Sequence, residues 1–118
     1  MASHNRLGAE AEEMAVNYLA GKGYEIIRRN WRHRHLEIDI IAVRNKVLRI
    51  IEVKALKRSD VKFPEESVTR KKFRFIQMAA DEFLYQHREY RHVQFDILSI
   101  IAHPGEDPEF YLIEDVSF

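Results

Sequence analysis

Two apolar, β-branched segments stand close together in this 118-residue chain and constrain its fold more than any other feature. Residues 37–43 read EIDIIAV, residues 47–54 read VLRIIEVK, and a short polar stretch separates them. Such segments are typical of buried strands, and so short a connection joins antiparallel neighbours. The sequence therefore predicts a hairpin with Asn45 and Lys46 in its turn.

The pattern on either side of the hairpin predicts a mixed α/β fold. Apolar residues recur at helical spacing over residues 7–22 and again over residues 66–88. A strand is expected before the hairpin at residues 24–31, and two more follow the second helix, at residues 93–101 and 110–114. The order α-β-β-β-α-β, followed by a short last strand, allows one helix to cover each face of a central sheet.

The second predicted helix carries an amphipathic pattern. A polar loop at residues 55–66, which contains Pro64, precedes it. A stripe at helical spacing is expected to face the core. The predicted stripe consists of Val68, Phe75, Ile76, Ala79, Phe83 and Leu84.

Length and composition exclude several classes of protein. A chain of this size forms one compact domain, here residues 1–118. The absence of cysteine excludes a disulfide scaffold, a thiol nucleophile and cysteine-based metal sites. No apolar run approaches the roughly 18 residues of a membrane span, and the N-terminus lacks a signal-peptide core, so a cytoplasmic protein without a membrane partner is expected.

Charge is balanced overall but unevenly distributed. The formal net charge is zero, yet residues 28–35, RRNWRHRH, and residues 70–74, RKKFR, are basic. Such stretches can lie along a nucleic-acid backbone, with Arg32 among the cations that face phosphate, or they can be solvated strand and helix ends. Trp31 could stack on a base, but a place in the core is the favoured interpretation.

A turn at residues 45–46 also fixes the register of the hairpin. Asp39 then lies directly opposite Glu52, and Glu37 lies opposite Lys54. Because side chains alternate along a strand, Asp39, Glu52 and Lys54 share one face, with Glu37 beside them. Opposed side chains have Cβ atoms about 5 Å apart, so the two carboxylates are predicted to be neighbours.

Two carboxylates at that distance repel each other unless a cation compensates them. Mg²⁺ favours one or two carboxylates together with waters and phosphate. Lys54 could then contact a scissile phosphate or a water, and phosphodiester hydrolysis needs such a metal and such a cation. The alternative is a solvated strand face on which Glu37 and Lys54 form an ion pair.

The apolar residues of the hairpin favour the functional interpretation. The opposite face is wholly apolar, and Ile41 and Ile50 lie among the charged residues, so the charged face is expected to be partly buried. The residues assigned to the opposite face are Ile38, Ile40, Ile51 and Val53.

Two helical residues border the predicted core. Glu12 lies beside the apolar stripe of the first helix, either as part of a site or as a boundary residue that favours the helix N-terminal half. Lys72 has its stem along the stripe of the second helix, where its amine could reach a phosphate or extend into solvent.

The ordered set of these residues resembles the PD-(D/E)XK nuclease superfamily. Within it, the chain is most similar to the YraN-like family, which is related to archaeal Holliday-junction resolvases. The similarity covers nearly the whole chain and rests mainly on the EIDIIA segment at 37–42 and the Glu52-Val53-Lys54 motif. The other matching pieces are Gly8, Glu12, Gly23-Tyr24, Asn30-Trp31-Arg32, Val68, Lys72, Phe95-Asp96 and Ile113-Glu114-Asp115.

The resemblance implies a restriction-endonuclease-like αβββαβ fold and a DNA endonuclease that uses Mg²⁺ or Mn²⁺, with branched or damaged DNA as substrate. Asp39, Glu52 and the Val53 carbonyl would hold the metal. Lys54 would orient the attacking water or steady the phosphate, and Glu12 would complete the site. Resolvase-type enzymes also suggest a homodimer.

Departures from the family pattern keep two other functions open. Leu56 and Gln94 stand where the family usually has arginine, which removes positive charge near the expected substrate side, although Arg58 or Lys57 could substitute. A nucleic-acid-binding module without turnover is therefore the first alternative. A protein-interaction domain that keeps the site as a relic is the second.

Overall fold

The computed structural model describes residues 8–57 and 68–117. Helix α1 spans Ala9–Gly21 and helix α2 spans Arg70–Gln86. The strands are β1 Glu25–His33, β2 Leu36–Arg44, β3 Val47–Lys57, β4 Val93–Ala102 and β5 Glu109–Ile113. The predicted order of elements is confirmed. Strand β3 continues to Lys57, into the predicted loop, and the rest of that loop lies outside the described ranges.

The five strands form one mixed sheet in the order β1-β2-β3-β4-β5. Neighbouring strands are antiparallel except β3 and β4, which are parallel. A parallel pair needs a crossover, and α2 provides it. Neither described helix is long and apolar enough to cross a membrane.

Each face of the sheet carries its own apolar core under one helix. The α1-side core contains Ala15 and Leu19 from α1 together with sheet residues such as Ile40 and Ile51. The α2-side core contains the buried stripe of α2 and sheet residues such as Ile41. The fold is therefore a mixed α/β sandwich, compatible with the αβββαβ core of nucleases.

The predicted stripe of α2 needs one correction. Phe75 is 40% exposed, whereas Phe73 is only 6% exposed and packs in the α2-side core. The true stripe has the helical spacing of Phe73, Ile76, Ala80 and Phe83, and Phe75 lies off it. Phe75 instead packs its ring edge against His35.

Trp31 packs against the core, which confirms the favoured interpretation. It is partly buried against the α2-side core. Its ring meets that of Phe83 edge-on, with centroids 5.4 Å apart. This contact secures β1 to α2 and engages the indole ring within the protein.

Candidate functional site

The hairpin has the predicted register. Residue pairs run from Arg44 opposite Val47 to Ile40 opposite Ile51. Both turn residues, 45 and 46, have positive φ, 54° and 63°, as a two-residue hairpin turn of the favoured twist requires. Past the pair of Ile40 and Ile51, the backbone ladder of β2 and β3 ends; we call this point the β2–β3 split.

Asp39 lies at the β2–β3 split. Its Oδ2 accepts a hydrogen bond of 2.9 Å from the backbone N–H of Val53, so the side chain takes a place that a strand carbonyl would otherwise fill. The alternation of β2 breaks at this residue. Ile38 packs in the α2-side core and Ile40 in the α1-side core, so the prediction that the two share a face is wrong.

Asp39 and Glu52 are both buried, with 8% and 6% of their surface exposed, and each interacts with the other. Two amines accompany them. Lys72 Nζ lies 2.7 Å from Glu52 Oε2, and Lys54 Nζ lies 3.8 Å from the same oxygen. We call these four residues the split cluster. The structure thus gathers three elements, β2, β3 and α2, around one carboxylate pair.

The environment of the split cluster shifts two pKa values. Burial raises the pKa of Asp39 well above its usual range, and the Glu52 carboxylate raises it further. Burial lowers the pKa of Lys54, and the Lys72 ammonium lowers it further. The cluster therefore disfavours both the ionised form of Asp39 and the protonated form of Lys54. Shifts of this kind are typical of functional sites.

Glu37 does not pair with Lys54, contrary to the expected cross-strand pair. Its carboxylate lies 3.3 Å from the guanidinium of Arg32 on β1. The break in alternation at Asp39 explains the difference, because it carries Glu37 away from the face that holds Lys54. Glu37 and Arg32 instead line an open groove of about 460 Å³ beside α1.

Glu12 lines the same groove and is held by two residues of β1. Its Oε2 accepts a hydrogen bond of 2.6 Å from Asn30 Nδ2, and its Oε1 lies 3.3 Å from Arg29. Within residues 8–57 and 68–117, no hydrogen bond or ion pair joins Glu12 to the split cluster. Of the predicted substrate contacts, Lys72 lies in the cluster, Arg32 lies in the groove, and Arg58 is outside the described residues.

A second buried charge group, which the sequence did not reveal, lies in and beside the α1-side core. We call it the Arg49 network: Tyr24, Arg49, Asp96 and Glu114. The Arg49 guanidinium lies 3.0 Å from the Glu114 carboxylate and 3.7 Å from that of Asp96. The hydroxyl of Tyr24 donates to Asp96 over 3.1 Å. The sequence feature that could have indicated this network is the arginine inside the otherwise apolar stretch VLRII at residues 47–51.

Gln94 contacts the Arg49 network. Its Nε2 donates to Asp96 Oδ1 over 3.0 Å. The backbone N–H of Asp115 donates to the same oxygen. The structure therefore shows the Gln94 side chain engaged in the Arg49 network, and its effect on charge near the substrate stays a prediction.

The donor set at the β2–β3 split fits a hard divalent cation. Asp39 and Glu52 offer carboxylate oxygens, the ligands that Mg²⁺ prefers, and Mg²⁺ keeps several waters and needs no closed cage. In the described part of the chain, no group of three acidic, histidine or cysteine side chains converges. A cation there would therefore take its remaining ligands from water, backbone or substrate phosphate.

Comparison with known proteins gives one consistent result. Residues 11–100 match the model of "Uncharacterised protein family UPF0102". A UPF0102 protein of Bacteroides fragilis is 41% identical over 105 residues, which cover 89% of this chain and 87% of the relative. One of Rhodococcus opacus is 38% identical over 116 residues, 98% of each chain. One of Chlorobium limicola is 46% identical over 98 residues, 81% of this chain and 75% of the relative.

Proposed function

This chain belongs to the UPF0102 family, also called the YraN family, and from that premise and the β2–β3 split we propose that it is a metal-dependent DNA endonuclease. The reaction is hydrolysis of a phosphodiester bond. The preferred substrate is branched or damaged DNA. The names of these relatives state no activity, so the residues of the site carry the proposal.

The contact between the Asp39 and Glu52 carboxylates carries the proposal. Both groups are buried, and a protein that needed only stability would replace such a pair with apolar residues at little or no cost. A divalent cation removes the repulsion and turns the pair into a binding site. Among the described residues, the ion pairs of Lys72 and Lys54 are both with Glu52, so the contact between the two carboxylates supports a divalent cation that both would hold.

Asp39 and Glu52, assisted by the Val53 carbonyl, would hold Mg²⁺ or Mn²⁺. When bound, such a metal polarises a phosphoryl oxygen and lowers the pKa of water. Lys54 stands 3.8 Å from Glu52 and would orient the attacking water or stabilise the charge that develops on the phosphate. Burial lowers the pKa of Lys54, which suits an amine that exchanges a proton during the reaction.

The remaining cations would bind the DNA backbone. Lys72 contacts Glu52 from the first turn of α2, where Arg70 and Lys71 extend the positive charge. Arg32 and Arg58 would contact DNA phosphates. Glu12 would complete the site from the groove beside α1, as the resemblance to the resolvases implies.

A cleavage assay tests the proposal. The purified protein is incubated with Mg²⁺ or Mn²⁺ and a panel of single-stranded, duplex, flap and four-way-junction DNA. We expect cleavage of at least one branched substrate, lost by a factor on the order of 10²–10³ in Asp39→Asn and Lys54→Met. Asp81→Asn and Lys22→Met, both outside the split cluster, are the matched controls and should cleave like the wild type.

The outcomes separate the three functions. Cleavage that persists in Asp39→Asn identifies a contaminating nuclease and contradicts the proposal. Binding of DNA that weakens with salt, without cleavage in either metal, supports a binding module instead. Absence of both binding and cleavage leaves a protein-interaction domain.

A further inference from the structure

We propose that Asn30, on the strand next to the one that bears Asp39, is a positioning residue that holds the Glu12 carboxylate in the groove beside α1. This inference rests on the proposed function and assigns a role to a side chain outside the carboxylate and lysine set. Three observations carry it: a short hydrogen bond, a left-handed backbone conformation, and a position on β1 beside Asp39.

The hydrogen bond is directional. Asn30 Nδ2 lies 2.6 Å from Glu12 Oε2, a distance typical of a strong, charge-assisted bond. A carboxylate only accepts, so the amide must present its nitrogen to Glu12 and its oxygen elsewhere. Among the residues that the structure describes, none donates to Asn30 Oδ1. That oxygen is free to accept from water or substrate.

The backbone of Asn30 is held in an uncommon conformation. Its φ is 52°, in the left-handed region that asparagine and glycine tolerate and other residues avoid. The side chains of β1 change from one face of the sheet to the other at this point. Arg29 contacts Glu12 on α1, whereas Trp31, two residues on, packs against Phe83 of α2 on the opposite face.

The side chains of β2 change faces of the sheet at the matching position. Asn30 lies between the pairs Arg29–Ile40 and Trp31–Ile38, which places it across from Asp39. The side chains of β1 and β2 therefore change faces of the sheet at the same position, at Asn30 and Asp39. This change directs the Asp39 carboxylate to the β2–β3 split and the Asn30 amide to Glu12.

Among the described residues, Asn30 is the uncharged side chain that bonds Glu12. Arg29 is shared between Glu12 and Glu13, at 3.3 and 3.0 Å, and a flexible guanidinium on an exposed surface fixes a carboxylate poorly. The Asn30 amide, in contrast, is anchored by its strained backbone. Asn30, on β1 beside the strand that bears Asp39, is thus the group that sets where the Glu12 oxygens stand.

The test is a double-mutant cycle in the cleavage assay. Asn30→Gly keeps the left-handed backbone and removes the amide, and Asn45→Gly does the same in the hairpin turn, where φ is 54°, as a matched control. We expect Asn30→Gly to lower kcat by about 10- to 100-fold with KM for DNA within about twofold, while Asn45→Gly cleaves like the wild type. In a Glu12→Gln background, Asn30→Gly should have no further effect on kcat.

A second variant guards against a folding defect. Asn30→Asp tolerates the same φ but places a carboxylate against Glu12, so the pair must share a proton to remain in contact. We expect its cleavage rate, relative to the wild type, to fall as pH rises, a change that a purely structural role would not produce. Urea unfolding of each variant checks that it is folded.

Three outcomes would overturn the inference. The first is wild-type kcat in Asn30→Gly. The second is losses that multiply in the double variant, which would mean that Asn30 acts independently of Glu12. The third is an inactive wild type on every substrate, in which case the proposed function fails first and this inference with it.

Discussion

The split cluster and the Arg49 network are two groups of charges that share strand β3, and they are balanced in different ways. In the Arg49 network, one guanidinium lies among two carboxylates and a tyrosine, and Asp96 accepts from Tyr24, Gln94 and the Asp115 backbone. In the split cluster, two carboxylates face each other, and burial and mutual repulsion raise the pKa of Asp39.

The difference separates structural from functional charge. A buried ion that has its counter-ion and its hydrogen bonds contributes to a stable, closed structure, and removing one partner is expensive. In the split cluster, Lys72 and Lys54 contact Glu52, yet burial and the Glu52 carboxylate still raise the pKa of Asp39, so the pair can accept further positive charge from a cation. The same substitution should therefore have opposite effects in the two places.

Removing the cation of the Arg49 network should give the largest effect. Arg49→Met leaves Asp96, which is 2% exposed, buried without its guanidinium, and we expect a loss of about 3–5 kcal/mol in the free energy of unfolding. Urea denaturation followed by circular dichroism measures it. Arg91→Met, at an exposed position, should change stability by less than about 0.5 kcal/mol. Equal losses in both variants would contradict the closed-network interpretation.

Asparagine in place of each buried aspartate compares the two groups directly. In EDTA at neutral pH, Asp96→Asn should lose about 1.5–3 kcal/mol, because Arg49 loses a charged partner. Asp39→Asn should lose nothing or gain about 1 kcal/mol, because it removes the repulsion from Glu52.

The sign of the pH dependence follows from the raised pKa of Asp39. Below the unfolded pKa of about 4, Asp39 is protonated in both states and does not reduce the free energy of unfolding. The free energy of unfolding of the wild type then falls as pH rises through the higher folded pKa of Asp39. Asp39→Asn should therefore match the wild type near about pH 3 and exceed it at neutral pH. A loss of stability in Asp39→Asn that is as large as in Asp96→Asn would show that both clusters are structural.

Magnesium should distinguish the clusters by a smaller amount. Free Mg²⁺ at a few times its dissociation constant stabilises a folded protein by about 1 kcal/mol, visible as a rise in Tm. We expect this rise in the wild type and in Asp96→Asn, and no rise in Asp39→Asn or Glu52→Gln. A rise that survives both split-cluster substitutions would place the cation elsewhere.

The smallest effect concerns Tyr24. Burial, together with the Asp96 and Glu114 carboxylates, raises the pKa of its hydroxyl above 10.0. The wild type should therefore lose stability as pH rises past about 10, because only the unfolded chain ionises there. Tyr24→Phe should cost about 1 kcal/mol at pH 7 and show a shallower decline above pH 10 in urea titrations. Parallel declines would mean that Tyr24 ionises freely in the folded protein.

Local patterns in the sequence were sufficient for the fold and the hairpin. Strand segments, helix spacing and the turn at residues 45–46 are short-range features, so the register that brings β2 beside β3 could be counted from the turn. The same count placed Asp39 beside Glu52, and the two side chains do interact. It also led to the wrong partner for Glu37, because counting assumes that alternation continues.

The features that could not be predicted depend on a break in that regularity or on distant residues. The change of face at Asn30 and Asp39 has no pattern of its own in the sequence. The Arg49 network joins residues as far apart as Tyr24 and Glu114, and only the folded sheet brings them together. The carboxylate pair could therefore be predicted from the sequence, because both residues belong to one hairpin. The Arg49 network could not, because its residues are far apart along the chain.

That difference in span has a consequence for how the protein matures during synthesis. The contact between Val53 and Asp39 closes a loop of 14 residues, whereas the contact between Tyr24 and Glu114 closes one of 90. Short loops close first and at lower entropic cost. A growing chain can therefore bring Val53 against Asp39 before it completes the Arg49 network, which needs Glu114.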